Sequence, residues 1–432
     1  MVDGARQMSR ERRLALGWEW DNLLARVRQL DGFGDFLRPP RLPGLLAAAA
    51  GGPVAMVNIS RWRCDAFLVT EDGVEPVPLP GLSAEDVVAR ANAFLQSIRV
   101  AQLAIDEYWR VRYCFDSGDQ TAKSFREYHR ARSAAAAART TMEATLGATM
   151  RWLWDVLAER IVHALPPSDS PAEDERQPRL WWCPTGPLTA LPLHAAGHHE
   201  APGEAVLDHV VSSYTPTLQA LLQPSADVLA TRGSDAEDRM LIVAVTDADG
   251  QVLPSAAQEA ERLRALFPGA RSTLLADGDA TPDRVLYELR RHKWVHFSCH
   301  GDQDYDAPSR GGLLVSGGRV TVMDIASRVH DGVFAFLPAC RTATGGTMLA
   351  DETISLAAAL RYQGYRHVLA TLWSVYDSAA VRVVDDVYAE LTSGGGFVPE
   401  RAAYALHHAV LKLRAEPGAG PSTWAPFIHV GV

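Results

Sequence analysis

Helical stripes and short apolar runs alternate along the first half of the chain. Apolar residues recur at helical spacing over 10–30, which predicts a helix, and the proline-rich run at 39–44 is expected to end it. Three short apolar runs over 53–80 predict a small antiparallel sheet. Two long helices are expected over 83–113 and 120–165, and the strand-like runs RLWWCP and HVVSSYTP follow them.

In the second half, strand-like apolar runs alternate with amphipathic helices. Each strand-like run is short and rich in branched apolar residues, as is typical of strands buried on both faces of a sheet. Helices between consecutive strands of this kind favour a parallel sheet with helices on its faces. The predicted strands are LIVAVT, STLLAD, KWVHFSCHG, VFAFLPAC, RHVLATLW and PFIHVGV, and the predicted helices are AAQEAERLRALF, TPDRVLYELRRH, DETISLAAALRYQG and two more over 378–414.

Composition excludes several classes of function. Hydrophobic residues make up 47% of the chain and charged residues 22%, as in ordinary globular proteins. The formal net charge is -10 and no long block of Lys and Arg is present, so nucleic acid is not expected as a partner. The five cysteines have no CxxC spacing, which argues against a disulfide framework and a structural zinc site. No window approaches the ~20 apolar residues of a membrane span, and a cytoplasmic protein is expected.

Two reactive side chains follow predicted strands of the second half. His300 closes the strand KWVHFSC, and Cys340 closes the strand VFAFLPA. In a parallel α/β sheet, reacting groups gather beyond the carboxyl ends of the strands, so the two residues meet if their strands are neighbours. The thiolate is the attacking form of cysteine, and an adjacent imidazole can take the thiol proton. We interpret Cys340 as a nucleophile and His300 as its general base; a buried, purely structural cysteine is the alternative.

The tetrahedral oxyanion formed by such an attack needs preorganised N–H donors. The backbone amides of Gly301 and Cys340 are the candidates, and Gly301 has no Cβ to obstruct the substrate.

Neighbouring residues of the same strand are given no catalytic role. Side chains alternate along a strand, so Cys299 is expected on the face opposite to His300. His292, His296 and His300 recur every four residues, which in a strand means separations of about 13 Å, too far for one zinc ion. His296 is therefore expected in the core, and no metal or organic cofactor is expected.

Several motifs together resemble the CHAT family, which is itself similar to separases and caspases. They are VHFSCHG, then FLPACRTATGG about forty residues later, then TLWSVYDSAA and WAPFIHVG. The upstream runs LWWCPTGPLTALPLHAA and SYTPTLQALL extend the resemblance to roughly residues 50–432. The residue before Cys340 departs from the family pattern, because this chain has PAC where many members have SAC.

The resemblance implies an α/β protein with a caspase-like, parallel-rich sheet flanked by helices. It divides the chain into an N-terminal helical extension over 1–50, a related non-catalytic half with long helices over 51–235, and a catalytic half over 236–432. Only His300 and Cys340 receive catalytic roles from it.

The function implied is that of a cysteine endopeptidase with a protein as its substrate. A defence or cell-death pathway is expected, together with activation by a partner protein, a ligand or cleavage, because active-site loops such as the glycine-rich stretch after Cys340 often order only on switching. The alternative is a catalytically silent, caspase-like interaction scaffold.

Asp377 is the candidate for substrate specificity. It follows the strand RHVLATLW and so belongs at the same edge of the sheet as His300 and Cys340. The resemblance to separases, in which an acidic residue of the corresponding segment is associated with binding a basic side chain, implies cleavage after Arg or Lys, with Trp373 in the pocket wall. The alternative is that Asp377 caps the helix beginning near Ser378.

Overall fold

The structure, a computed structural model, describes residues 2–38, 40–118, 121–167, 177–222, 237–248, 251–302, 310–327, 331–338, 356–375 and 377–432. It contains two compact units, Met1–Leu45 and Leu46–Val432. None of the helices in these ranges combines the length and the apolar character that crossing a lipid bilayer requires.

The first unit is built around one long helix, α1 (Val2–Val27). The predicted helix is confirmed, but it ends well before the proline-rich run that was expected to end it. The segment after Val27 contains two glycines and two aspartates, which favour turns, and Gly32 has a φ of 84°. Arg28 holds this turn, because its Nε donates to the carbonyl oxygen of Phe36 at 2.8 Å.

The second unit contains the strands. They are β1 (Val54–Asn58), β2 (Asp65–Thr70), β3 (Gly73–Pro78), β4 (Arg179–Pro184), β5 (Val211–Tyr214), β6 (Glu237–Ala244), β7 (Asp247–Ala248), β8 (Gln251–Val252), β9 (Ser272–Ala276), β10 (His292–Ser298), β11 (Gly301–Asp302), β12 (Gly312–Val315), β13 (Gly318–Thr321), β14 (Phe334–Phe336), β15 (His367–Thr371) and β16 (Phe427–Gly431).

The helix α2 (Leu42–Leu46) spans the boundary between the two units. The helices of the second unit flank the sheet that most of these strands form. They are α3 (Ala84–Ser117), α4 (Ala122–Leu153), α5 (Glu159–His163), α6 (Ser255–Leu266), α7 (Pro282–Leu289), α8 (Val322–Ala326), α9 (Leu356–Tyr362), α10 (Asp377–Thr392), α11 (Ala402–Arg414) and α12 (Pro421–Trp424), with a π-helical turn at Trp154–Ala158 between α4 and α5. The two long helices predicted from the sequence are confirmed as α3 and α4 to α5.

Eleven of the described strands form one sheet, in the order β3-β2-β1-β4-β5-β16-β15-β14-β10-β6-β9, and the other five form two small sheets, β11-β12-β13 and β7-β8. Neighbouring strands are parallel except for the pairs β3–β2, β2–β1 and β16–β15. The mixed, mostly parallel α/β sheet with flanking helices is the predicted fold class, which is confirmed. The predicted domain boundary at 235 falls in a stretch outside the described residues and stays a prediction.

The two parts of the sheet meet where β16 pairs in parallel with β5, through Val430 and Tyr214. A chain of buried polar groups crosses this junction. Arg179 Nη2 donates to Ser213 Oγ at 2.6 Å, Ser213 Oγ lies 2.8 Å from His429 Nδ1, and His429 Nε2 lies 3.2 Å from His367 Nδ1. Burial lowers the pKa of Arg179 to about 10 and that of His367 to about 3, and it holds the pKa of His429 well below its usual range. Both imidazoles are therefore neutral at pH 7.

Candidate active site

The strands that precede the two predicted catalytic residues are neighbours in the sheet. β10 pairs in parallel with β14, with Trp294 opposite Phe334 and His296 opposite Phe336. Their carboxyl ends therefore lie at one edge of the sheet, as the prediction required. His300 follows β10 by two residues. Cys340 lies outside the described residues, which end at Pro338 in this segment, so the dyad stays a prediction.

His300 is half-buried, and its backbone is held by a neighbouring hairpin. The Leu314 amide donates to the carbonyl oxygen of His300 at 2.7 Å. Gly301 begins β11 and pairs with Leu313 of β12, which in turn pairs with β13 in an antiparallel hairpin. His300 and Gly301, the predicted base and oxyanion donor, therefore lie on a segment that is hydrogen-bonded to the small sheet of β11, β12 and β13. The role of the Gly301 amide in an oxyanion hole stays a prediction.

Cys299, between β10 and His300, is buried, with an exposed fraction of 1%. His296 is fully buried, so the expectation that it belongs to the core is confirmed. In the described part of the chain, no group of three or more His, Cys, Asp or Glu side chains is arranged to hold a metal ion.

The side chains of β10, α6 and α10 form a buried polar cluster that was not predicted from the sequence. Its members are Glu259 of α6, His296 and Ser298 of β10, and Tyr388 of α10, and all of them are buried. Ser298 Oγ donates to Glu259 Oε2, and His296 Nε2 lies 3.1 Å from the same oxygen. The hydroxyl of Tyr388 lies 3.2 Å from His296 Nδ1, and burial beside Glu259 raises the pKa of Tyr388 well above its usual range.

One signal in the sequence could have pointed to this cluster. Ala256, Ala260 and Leu263 form the buried stripe of α6, and Glu259 lies at helical spacing within that stripe. A carboxylate on the apolar side of a helix must find polar partners inside the protein, since burial without them is costly.

Asp377 is the first residue of α10 and is half-buried. Its Oδ1 accepts a hydrogen bond from Ser255 Oγ, the first residue of α6. In the first turn of a helix a carboxylate also complements the positive end of the helix dipole. The position of Asp377 and its bond to Ser255 fit both predicted roles, binding of a basic substrate side chain and capping of α10, and both stay predictions.

Trp373, the other predicted specificity residue, is 2% exposed. Its Nε1 donates to the Ser422 carbonyl oxygen at 3.2 Å, and its ring meets Phe94 edge-on with 5.6 Å between centroids. These contacts place Trp373 in the core between α3 and α12. Its role as a pocket wall stays a prediction.

Comparisons with known proteins agree with this architecture. The family model described as CHAT domain matches residues 147–432, more than half of the chain. Two crystal structures of the Saccharomyces cerevisiae separase–securin complex match 90% of this chain and 30% of that chain. One, at 3.0 Å resolution, has a TM-score of 0.56 at 9% identity, and the other, at 2.6 Å resolution, has 0.52 at 10% identity.

The Arg-specific cysteine proteinase gingipain R matches with a TM-score of 0.41 at 12% identity, over 65% of this chain and 66% of that chain. No curated protein matches the chain. The chain spans less than a third of the length of the separase chain that it resembles. From the family match and the separase fold together, the chain belongs to the CHAT domain family and has a caspase-like fold.

Proposed function

We propose that the chain is a cysteine endopeptidase that cleaves a protein substrate, with Cys340 as the nucleophile and His300 as the general base. The observation that carries the proposal is the parallel pairing of β10 with β14, whose carboxyl ends precede these two residues. Membership of the CHAT domain family supports it. The reaction uses no metal or organic cofactor.

The reaction proceeds in two stages. His300 takes the thiol proton of Cys340, and the sulfur attacks the scissile carbonyl carbon. The resulting oxyanion is held by the backbone amides of Gly301 and Cys340. The carbon–nitrogen bond then breaks, the amine leaves with the proton from His300, and a thioester remains on Cys340. Water, deprotonated by His300, hydrolyses that thioester and restores the thiol.

Asp377 is proposed to select Arg or Lys before the scissile bond, with Trp373 behind it. β15 lies next to β14, so the segment that leaves β15 reaches the same edge of the sheet as His300. The half-buried carboxylate of Asp377 is the charge that a basic side chain would pair with.

Activation by a partner protein, in a defence or cell-death pathway, completes the proposal. The separase of the matching structures is held in a complex with securin, which supports a protein partner for a chain of this fold.

A peptide probe with a thiol-reactive group after Arg tests the nucleophile. We expect the probe to label Cys340 in the wild-type protein, and labelling to be lost in Cys340→Ala and strongly reduced in His300→Ala. Cys114→Ala is the matched control, because Cys114 is an exposed thiol with no role in the proposed reaction and its removal should change nothing. Labelling that survives Cys340→Ala, or no labelling of Cys340 with or without cell extract, would favour the silent scaffold instead.

A further inference from the structure

Helix α6 makes hydrogen bonds to two segments of the candidate active site, the start of α10 and the end of β10. Ser255 and Glu259 lie one turn apart on this helix. Ser255 donates to Asp377, the proposed specificity residue. Glu259 accepts from Ser298, which lies two residues before the proposed base His300. These polar contacts join α6 to the start of α10 and to the end of β10.

The hydrogen bonds around Glu259 assign a proton to each partner. A carboxylate only accepts, so with Glu259 in that form Ser298 donates to it through Oγ–H. His296 then donates through Nε2–H, which lies 3.1 Å from Glu259 Oε2 and 3.0 Å from Ser298 Oγ. His296 Nδ1 is then free to accept from the hydroxyl of Tyr388 at 3.2 Å. With His296 as the Nε2–H tautomer and Glu259 as a carboxylate, each of these hydrogen bonds has one donor and one acceptor.

No cation neutralises this charge within the described part of the chain. The ion pairs of Glu259 there run to His296 and to no Lys or Arg. The carboxylate is 3% exposed, so solvent screens it weakly. Ser298 and His300 are two positions apart in the chain, so their Cα atoms lie at most about 7 Å from each other, and this charge is within electrostatic reach of His300.

We propose that Glu259 is a positioning residue for His300. Glu259 holds Ser298, the last residue of β10, through a hydrogen bond. Its negative charge stabilises the imidazolium that His300 becomes when it takes the thiol proton. The role rests on the proposed function, because it assigns Glu259 to the same reaction. Glu259 acts through Ser298 and through space, and it does not touch the reacting atoms.

Other ionisable groups on the elements around His300 are Cys340 after β14, Asp302 on β11 and Arg319 on β13. A Cys340→Ala background removes the thiol, and the other two stay unchanged in every variant. Glu288 provides a matched control. It is also a buried glutamate beside a histidine of β10, since Glu288 Oε2 lies 3.7 Å from His292 Nδ1, but at the opposite end of the strand.

The first measurement is the titration of the His300 ring by NMR in the Cys340→Ala background, with the signal identified by its loss in His300→Ala. Removing a nearby negative charge disfavours imidazolium, so Glu259→Gln should move the midpoint to lower pH by about half to one unit. Glu288→Gln should leave it within about 0.2 units. An unchanged midpoint in folded Glu259→Gln, or an equal shift in Glu288→Gln, overturns the electrostatic role.

The second measurement is peptidase activity with Cys340 present. Glu259→Gln and Ser298→Ala should each lower kcat about tenfold or more with KM within about twofold, because both loosen the base and neither touches the substrate. If Glu259→Gln does not fold, Ser298→Ala decides: wild-type kcat in that variant overturns the positioning role. The NMR readout needs no turnover, so an inactive wild-type protein with a shifted His300 midpoint would contradict the proposed peptidase alone.

Discussion

The hydroxyl of Ser213 lies 2.8 Å from Nδ1 of His429, across the junction where the two parts of the sheet meet. Arg179, which donates to the same hydroxyl, is half-buried, and desolvation of its guanidinium lowers its pKa to about 10. Ser213 therefore serves two partners at once, as the acceptor for a buried guanidinium and as the donor to a neutral imidazole.

Removing this hydroxyl should destabilise the fold more than removing its neighbour. Ser213→Ala leaves a buried cation without an acceptor, and we expect the free energy of unfolding to fall by about 2–3 kcal/mol. Ser212→Ala removes the neutral bond from Trp182 Nε1 at 3.0 Å and should cost about 1 kcal/mol. Chemical denaturation of both variants checks the difference. Equal losses would mean that the charge of Arg179 is compensated elsewhere.

Acid should destabilise the protein from about pH 6.5 downward. Burial lowers the pKa of His194 and of His367 to about 3 and that of His407 to about 4. In the unfolded chain these groups take up protons near pH 6.5, so between that value and the folded pKa the unfolded state binds more protons and stability falls as pH falls. Each group contributes up to about 1.4 kcal/mol per pH unit in this window.

Denaturation curves between pH 7.5 and pH 5 measure this slope. His407→Gln should reduce this slope by the amount that corresponds to about one proton taken up on unfolding, because burial lowers the pKa of His407 in the folded protein. A slope that His407→Gln leaves unchanged would contradict the assignment to His407.

Gly431 should tolerate no side chain. Its φ is 138°, and a Cβ there would lie 1.9 Å from the carbonyl oxygen of Arg366. We expect Gly431→Ala to lower the free energy of unfolding by about 3 kcal/mol or more, because both the backbone and the neighbouring strand must shift. Gly396→Ala, where nothing lies within 4 Å, should change it by less than about 1 kcal/mol. Thermal melting compares the two.

Asp377 can be tested for specificity and for capping at the same time. If its carboxylate pairs with a basic substrate side chain, Asp377→Asn should lower the preference for Arg over Leu peptides about ten- to a hundredfold. Ser255→Ala removes the partner of Asp377 and keeps the charge, so it should lower the melting temperature and leave the preference intact. An unchanged preference in Asp377→Asn, with only a loss of thermal stability, would show that Asp377 is a cap.

Most elements of the fold could be predicted because periodicity is a local property. The alternation of apolar runs and amphipathic segments predicted β6, α6, β9, α7 and β10 in order, and all are present. The order of strands in the sheet is not local. The run PFIHVGV predicted β16, but its place between β5 and β15, antiparallel to the latter, depends on partners distant in sequence.

The candidate site shows the same difference between local features, which the sequence predicts, and contacts between distant residues, which it does not. The apolar runs before His300 and Cys340 predicted both strands: β10 ends one residue before its predicted end, and β14 ends at Phe336, three residues before its predicted end at 339. The bond between Ser255 and Asp377 joins residues 122 positions apart, and no pattern in either segment indicates it. The sequence pattern predicts a helix around Glu259, and the charge of Glu259 on the apolar side of that helix is the one local sign of a buried polar partner.

The position of β16 orders the events of folding. During synthesis, β5 and β15 both leave the ribosome before the strand that lies between them, so the two parts of the sheet cannot close on each other until Phe427–Gly431 has been made. Pairings across such long separations are slow to form. A nascent chain therefore carries two open sheet edges until β16 arrives, and this interval is when a chaperone or a wrong partner has access to them.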